Sequence, residues 1–263
     1  MYCSEGCRIN LLRRSIWLIL AILLSACLPT SVLTPEPTQT SIPVPTTTPT
    51  VIWFPPTPTK TLIPTIGISP TPQKLPDKGQ ILLEDDFSDI SSWIVGNPGN
   101  GTVAQGINEI SLAIIKPDSY LYSYRNEPIL SDFYAEITTS PSLCAGEDEY
   151  GILFRYKSPL DFYRFSLSCD GKIRLDKIFG GTASSPQPWL ESISVPNVAP
   201  SSSRLGIWID GSEMRFYINE ELQFNVTDRS IDNGLIGVFA RSAAENAVTV
   251  SFSDLVIYQL IPE

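Results

Sequence analysis

The chain of 263 residues carries 18 Lys plus Arg against 28 Asp plus Glu, a formal net charge of −10, and no histidine. Without histidine there can be no Ser-His-Asp or Cys-His nucleophilic system and no histidine-ligated metal site. The acidity sets the protein against nucleic acid and anionic lipid headgroups as direct partners. At the start of the chain, Arg8, Arg13 and Arg14 stand against Glu5, residues 15–24 are nearly all apolar, and small residues precede Cys27 in Leu24-Ser25-Ala26-Cys27. A basic start, a short apolar run and small residues before a cut are the parts of a secretory signal, and ten apolar residues are too few to span a bilayer.

The box ending at Cys27 resembles the cleavage site of bacterial lipoprotein signal peptides. The resemblance implies cleavage before Cys27, lipidation of its thiol, and a chain held by acyl groups at the extracytoplasmic face of a cell membrane, since two or three chains anchor firmly where one does not. An ordinary secretory signal or an uncleaved anchor is the alternative reading. Residues 28–76 then hold 13 of the 23 prolines and 13 threonines, with only Glu36, Lys60 and Lys74 charged. Such a segment buries too little apolar surface to fold. Its Pro-Thr pairs favour extended polyproline geometry, so at roughly 3.1 Å per residue it would reach at most about 150 Å. Residues 27–77 are therefore expected to be the lipidated cysteine and a disordered stalk, interrupted by the apolar island Val51-Ile52-Trp53-Phe54.

Residues 78–263 suffice for one domain with a sizeable core, and they carry 13 Lys plus Arg against 25 Asp plus Glu, a net charge of about −12. Their periodicity is that of strands, short, β-branched or aromatic and often alternating, starting at Ile110, Phe133, Gly151, Phe162, Lys172, Arg204, Glu213 and Val248. No fifteen-residue window reads as an amphipathic helix. Asp170-Gly171 and Asp210-Gly211 each sit between two runs, a hairpin signal. Many short strands at regular spacing predict an all-β, two-sheet antiparallel sandwich.

Of five cysteines, Cys3 and Cys7 leave with the signal and Cys27 takes the lipid, so Cys144 and Cys169 remain as an even pair outside the cytoplasm and are expected to form a disulfide. Strands over 133–139, 150–156 and 162–168 put both cysteines past the same sheet edge, but two strands apart means nearly 10 Å, so the loop around Cys144 has to fold inward. Closing about 25 residues would contribute roughly 3 kcal/mol. Two free thiols are the alternative.

Tyr150-Gly-Ile-Leu-Phe-Arg-Tyr, Asp161-Phe-Tyr-Arg-Phe-Ser-Leu and Asp170-Gly-Lys-Ile-Arg-Leu resemble the central hairpins of bacterial concanavalin A-like, laminin G-like jelly-roll domains. Arg204-Leu-Gly-Ile-Trp-Ile-Asp-Gly-Ser, Gly234-Leu-Ile-Gly-Val-Phe-Ala and Phe252-Ser-Asp-Leu-Val-Ile-Tyr continue the likeness over about 80–260, nearest the branch related to 3-keto-disaccharide hydrolases. Asn219-Glu220 departs from it, where the family commonly has Asn-Gly. These are turn and core positions, so the likeness specifies fold better than activity.

Two candidate sites follow. Glu84-Asp85-Asp86 opens the domain and Phe252-Ser253-Asp254 closes it. Paired terminal strands would gather carboxylates, and the resemblance implies a structural calcium there with Asp86 and Asp254 as ligands, calcium needing six to eight oxygens. A solvated strand end whose acids cap turns is the alternative. For a glycan surface, Tyr156, Tyr163 and Trp189 supply flat rings and Arg155 and Arg164 planar donors. Alternation opposes both arginines to core-facing Phe154 and Phe165, so the two would share one sheet face, while Trp189 would stand in an exposed Ser-Pro-Gln-Pro-Trp loop. The alternative makes these aromatics core and these arginines ion-paired.

Catalysis finds little support. Glu147-Asp148-Glu149 is the densest acidic run, and adjacent residues splay, so it reads as a solvated turn and not as the facing pair a glycosidase needs. Gly96 to Gly101 lacks the strand-helix setting of a phosphate loop. The expectation is a lipid-anchored, monomeric β-sandwich that recognises a glycan or cell-surface polymer without cleaving it, with calcium as the candidate cofactor. A hydrolase acting on a modified disaccharide or polysaccharide would instead show two carboxylates across a cleft, and a protein-binding module a flat apolar patch.

Overall fold

A computed structural model describes residues 75–261. The segments read as signal and stalk, with Cys27, lie up to residue 74 outside the described residues. In chain order the strands are β1 (Lys78–Asp85), β2 (Gly101–Gln105), β3 (Ile110–Ile114), β4 (Tyr120–Tyr124), β5 (Phe133–Leu143), β6 (Glu149–Ser158), β7 (Asp161–Ser168), β8 (Lys172–Phe179), β9 (Thr182–Glu191), β10 (Ser203–Asp210), β11 (Glu213–Ile218), β12 (Glu221–Thr227), β13 (Leu235–Arg241) and β14 (Val248–Leu260). Among the described residues there is no helix.

The strands form two antiparallel sheets. One runs β12-β11-β10-β5-β14-β3-β2, with β1 beside the end of β14, and the other runs β4-β13-β6-β7-β8-β9. The thirteen residues of β14 pair with β5 along one edge and serve two partners along the other, β3 along residues 248–252 and β1 from Leu255 onward. Alternation drives one set of side chains between the sheets: Phe133, Ala135 and Ile137 of β5 meet Tyr150, Ile152 and Phe154 of β6 and Phe165 of β7 in one continuous core. Phe216 sits at its centre, 4.9 Å from Phe165 and 4.7 Å from Phe224, ring centre to ring centre. Each such buried side chain contributes roughly 1.5–3 kcal/mol.

The eight sequence runs correspond to β3, β5, β6, β7, β8, β10, β11 and β14, and the two-sheet sandwich stands. The segment read as a Ser-Pro-Gln-Pro-Trp loop is instead edge strand β9. Pro186 and Pro188 argue against a central strand because they cannot donate to a ladder. An edge strand with a free side and broken register tolerates them, and the β8–β9 register shifts twice between Ile173 and Lys177.

Gly171 (φ 90°) and Gly211 (φ 55°) take the left-handed conformation their hairpins require. The two-residue turn between Ile218 and Glu221 asks the same of Asn219 (φ 49°) and Glu220 (φ 69°) without a glycine. A left-handed non-glycine residue costs about 1–2 kcal/mol, and Asn bears it better than Glu. Glu220→Gly is therefore expected to raise stability by about 1 kcal/mol, net of the extra freedom glycine has when unfolded. An unchanged urea midpoint would contradict this.

Cys144 and Cys169 are disulfide-bonded, with Cα atoms 5.8 Å apart. The inward fold that the bridge demands is made by Asp148, fully buried, whose carboxylate accepts hydrogen bonds from the amides of Ala145 and Ala243 while its carbonyl accepts one from Cys169.

Candidate functional site

The site is built on the face of the six-stranded sheet that points away from the core, and a single backbone irregularity sets its composition. At Arg155 the chain turns left-handed (φ 47°), and the pairing of β6 with both β7 and β13 slips there. This is a β-bulge, which inserts one residue and reverses the alternation beyond it. Arg155 accordingly leaves the outer face and Tyr156 takes it. The expectation that Arg155 and Arg164 share a face is thus corrected. Arg155 is 1 % exposed, and its guanidinium donates to the carbonyls of Ile231 (2.8 Å), Ser131 (3.0 Å) and Gly211 (2.8 Å). Gly234 permits the bulge: a Cβ there would lie 2.3 Å from the carbonyl carbon of Arg155.

Tyr163 is likewise not on the face. It is fully buried, stacked on Phe154 with ring centres 5.3 Å apart, and its hydroxyl donates to Asp228 at 2.6 Å. Burial alone would push the Asp228 carboxyl up, but hydrogen bonds from Lys177 (2.7 Å), Tyr163 and the Ser230 amide (2.7 Å) hold it well below its ordinary value. A depressed carboxyl contributes stability that is fully present above the unfolded value near 4 and is lost as pH falls through the folded one. Asp228→Asn is expected to cost about 2 kcal/mol at pH 7, with its denaturation midpoint approaching that of the wild type as pH drops from 4 toward 2. A gap independent of pH would refute the assignment.

Tyr156, Arg164 and Trp189 do meet on the outer face. Tyr156 stacks on Tyr124 at 4.6 Å, and Tyr120 stacks on Phe239 at 5.5 Å, so β4, β6 and β13 lay down an aromatic floor. Beside it runs a ladder of alternating charge. Arg241 pairs with Glu149, Glu149 with Arg174 (3.0 Å), Arg174 with Asp176 (3.0 Å), and Asp176 with Arg164 (2.6 Å). Ser185 on β9 closes it, donating to the other Asp176 oxygen at 2.6 Å. Trp189, 37 % exposed, lies over the Arg174 guanidinium, 4.2 Å from ring centre to guanidinium carbon, a cation–π contact. The acidic run near 147–149 is therefore more than a solvated turn: Glu149 is 2 % exposed and anchors the ladder, because alternation along β6 points it outward beside Arg174 and Arg241.

Two hollows divide this face. An apolar basin of about 380 Å³ is walled by Tyr122, Leu153, Tyr156, Phe162 and Ile178 with Tyr120 and Arg164 among its lining. A polar basin of about 280 Å³ is lined by Glu149, Ser168, Lys172, Arg174, Trp189 and Arg241. Tyr120 Oη faces the Arg164 guanidinium, and neither its proton nor the buried Arg164 Nε–H has an acceptor. Burial pushes the Tyr120 phenol up, so its hydroxyl remains a donor at neutral pH. β4 and Glu149 were missed by sequence reasoning; the tyrosines at every second position, Tyr120, Tyr122 and Tyr124, were the available signal.

The terminal strands pair as the calcium expectation required, with Asp85 opposite Leu255. The residues there do not make a cation cage. Asp85 turns inward to Trp93 Nε1 (2.9 Å) and Arg125 Nε (3.0 Å), and Asp86 is engaged by the Ser88 amide (3.0 Å). The Asp254 carbonyl accepts from Arg204 at 2.6 Å, which sets a positive charge where a cation would bind. Among the described residues no group of three acidic or sulfur-bearing side chains gathers for a metal.

No protein-family model matches the sequence, and comparison with curated proteins yields no match. Solved structures do resemble it. The carbohydrate binding module CBM66 from Bacillus subtilis superposes with a TM-score of 0.51 at 17% identity, over 64% of this chain and 96% of that one. A β-glucanase from Bacillus licheniformis gives 0.53 at 11% identity over 70% and 100%. The catalytic domain of an endo-1,3-β-glucanase from Thermotoga petrophila gives 0.51 at 9% identity over 72% and 100%. The described domain thus has an all-β, two-sheet jelly-roll fold like that of these concanavalin A-like sandwiches, one of them a carbohydrate binding module and two of them glucanases. At these identities the likeness establishes fold alone.

Proposed function

We propose that this protein is a carbohydrate-recognition domain that holds a glycan on the outer face of the six-stranded sheet without cleaving it. The observation that carries this reading is the guanidinium–carboxylate ladder beside Trp189. Sugar hydroxyls are read by planar donors beside a flat ring, and the ladder presents the partly exposed guanidiniums of Arg174 and Arg241, held in place by nearly buried carboxylates, next to Trp189. The ladder also favours binding over hydrolysis. Both oxygens of Glu149 accept from Arg174 and Arg241, and both oxygens of Asp176 accept from Arg164 and Ser185. Neither carboxylate has an oxygen free to move the proton of a glycosidic bond. The sequence before residue 78 supports presentation of the domain on a Pro/Thr stalk anchored through Cys27 at the extracytoplasmic membrane face.

The test is a glycan array probed with the full chain, followed by assay of bound glycans for new reducing ends. Saturable binding without cleavage, weakened about tenfold by Trp189→Ala (about 1.4 kcal/mol), is expected. A folded chain silent across the array would overturn the reading, and cleavage would replace it with a hydrolase.

A further inference from the structure

We infer that the apolar basin receives an aryl or acyl group carried by the sugar, with an acceptor oxygen, and that the sugar ring itself lies on the neighbouring ladder. This rests on the glycan reading and sharpens its ligand class. Leu153, Phe162 and Ile178 wall the basin and can offer nothing to hydroxyls. The Tyr122 and Tyr156 hydroxyls in its lining engage each other, so a sugar ring placed there would bury most of its hydroxyls without partners, at about 1–3 kcal/mol each. Among these walls stand Tyr120 Oη, whose oxygen faces the Arg164 guanidinium and whose proton has no acceptor, and Arg164 Nε, a second buried donor without an acceptor. Two convergent unused donors call for an acceptor, which an ester carbonyl or an aryl ether supplies. The basin's volume of about 380 Å³ compares with about 150 Å³ for a cavity that holds benzene, so an aromatic ring with its ester fits. Arg164 belongs to both regions, since its Nη2 binds Asp176 on the ladder while its Nε is unused beside the basin. A substituent in the basin therefore places its sugar next to the ladder.

Three probes test this on the full chain: methyl benzoate, phenyl β-D-glucopyranoside and methyl β-D-glucopyranoside, read by calorimetry and by methyl NMR shifts of Ile178 and Ala183. Ala183→Phe, at an exposed position on the basin rim, fills the basin and spares the ladder. Methyl benzoate is expected to shift both methyl groups, and the phenyl glucoside to bind at least tenfold tighter than the methyl glucoside. Both gains should vanish in Ala183→Phe while methyl glucoside binding is unchanged. Equal affinity for the two glucosides with no response to methyl benzoate would overturn the inference and leave the glycan reading intact. Binding of methyl benzoate with neither glucoside bound would support the basin's preference while removing support from the glycan reading. A phenyl advantage that survives Ala183→Phe would overturn the placement.

Discussion

Replacing Arg155 by alanine is expected to lower the stability of the folded chain by about 3–4 kcal/mol, the largest loss of any single substitution away from the aromatic core. The guanidinium binds three carbonyls from three separate loops, at Ser131 before β5, Gly211 in the β10–β11 turn and Ile231 before β13. Each carbonyl left without a donor costs about 1 kcal/mol or more, and the emptied space adds to the loss. Asp132 lies 3.8 Å away and offsets only part of the buried charge, and burial lowers the Arg155 pKa from its ordinary value. Lysine should rescue little, because a single ammonium cannot reach carbonyls that a planar fork serves in three directions. Urea denaturation of the wild type, Arg155→Ala and Arg155→Lys checks this, and a loss below 1 kcal/mol for alanine would show that the loops hold themselves. Since the bulge at Arg155 puts Tyr156 on the outer face, glycan binding should weaken in any variant that folds with the bulge relaxed.

That same residue marks where the sequence stops being legible. Strict alternation along Tyr150-Gly-Ile-Leu-Phe-Arg-Tyr places Arg155 outward and Tyr156 inward, and a bulge reverses both. Nothing local announces it, because its cause is distant: three carbonyls that need a donor, and Gly234 leaving room for the turned backbone. The sandwich itself was readable because alternating runs and Asp-Gly turns are local signals, and the disulfide because two cysteines remained. β9 was hidden by Pro186 and Pro188, which exclude a central strand and say nothing about an edge. The ladder was hidden because Glu149, Arg174 and Arg241 are far apart in sequence and become neighbours only through the order β13-β6-β7-β8. Arg164 and Trp189 were found because an arginine opposite a core residue and a tryptophan among prolines are anomalies at their own positions.

Arg174→Ala is expected to weaken glycan binding at least thirtyfold, about 2 kcal/mol, making it the most damaging change on the face. Arg174 joins the two carboxylates, binding Glu149 at 3.0 Å and Asp176 at 3.0 Å, and it lies beneath Trp189. Its removal takes away the donor at the centre of the ladder, leaves Glu149 to Arg241 alone, and frees the indole from the cation that orients it. A purely structural role would predict something different: lower stability, with affinity unchanged in the folded fraction. Glu149→Gln separates the two, because it keeps an acceptor for one arginine while removing the charge that holds both. If the ladder reads hydroxyls, Glu149→Gln should loosen Arg174 and Arg241 and reduce affinity by less than Arg174→Ala. Arg174→Lys should recover little, since bridging two carboxylates needs two faces of one guanidinium. Calorimetric affinities beside thermal midpoints for the three variants decide the matter. Affinity that tracks the midpoint across all three, with no loss specific to Arg174→Ala, would remove the ladder from recognition and leave it as a brace between β13 and β8.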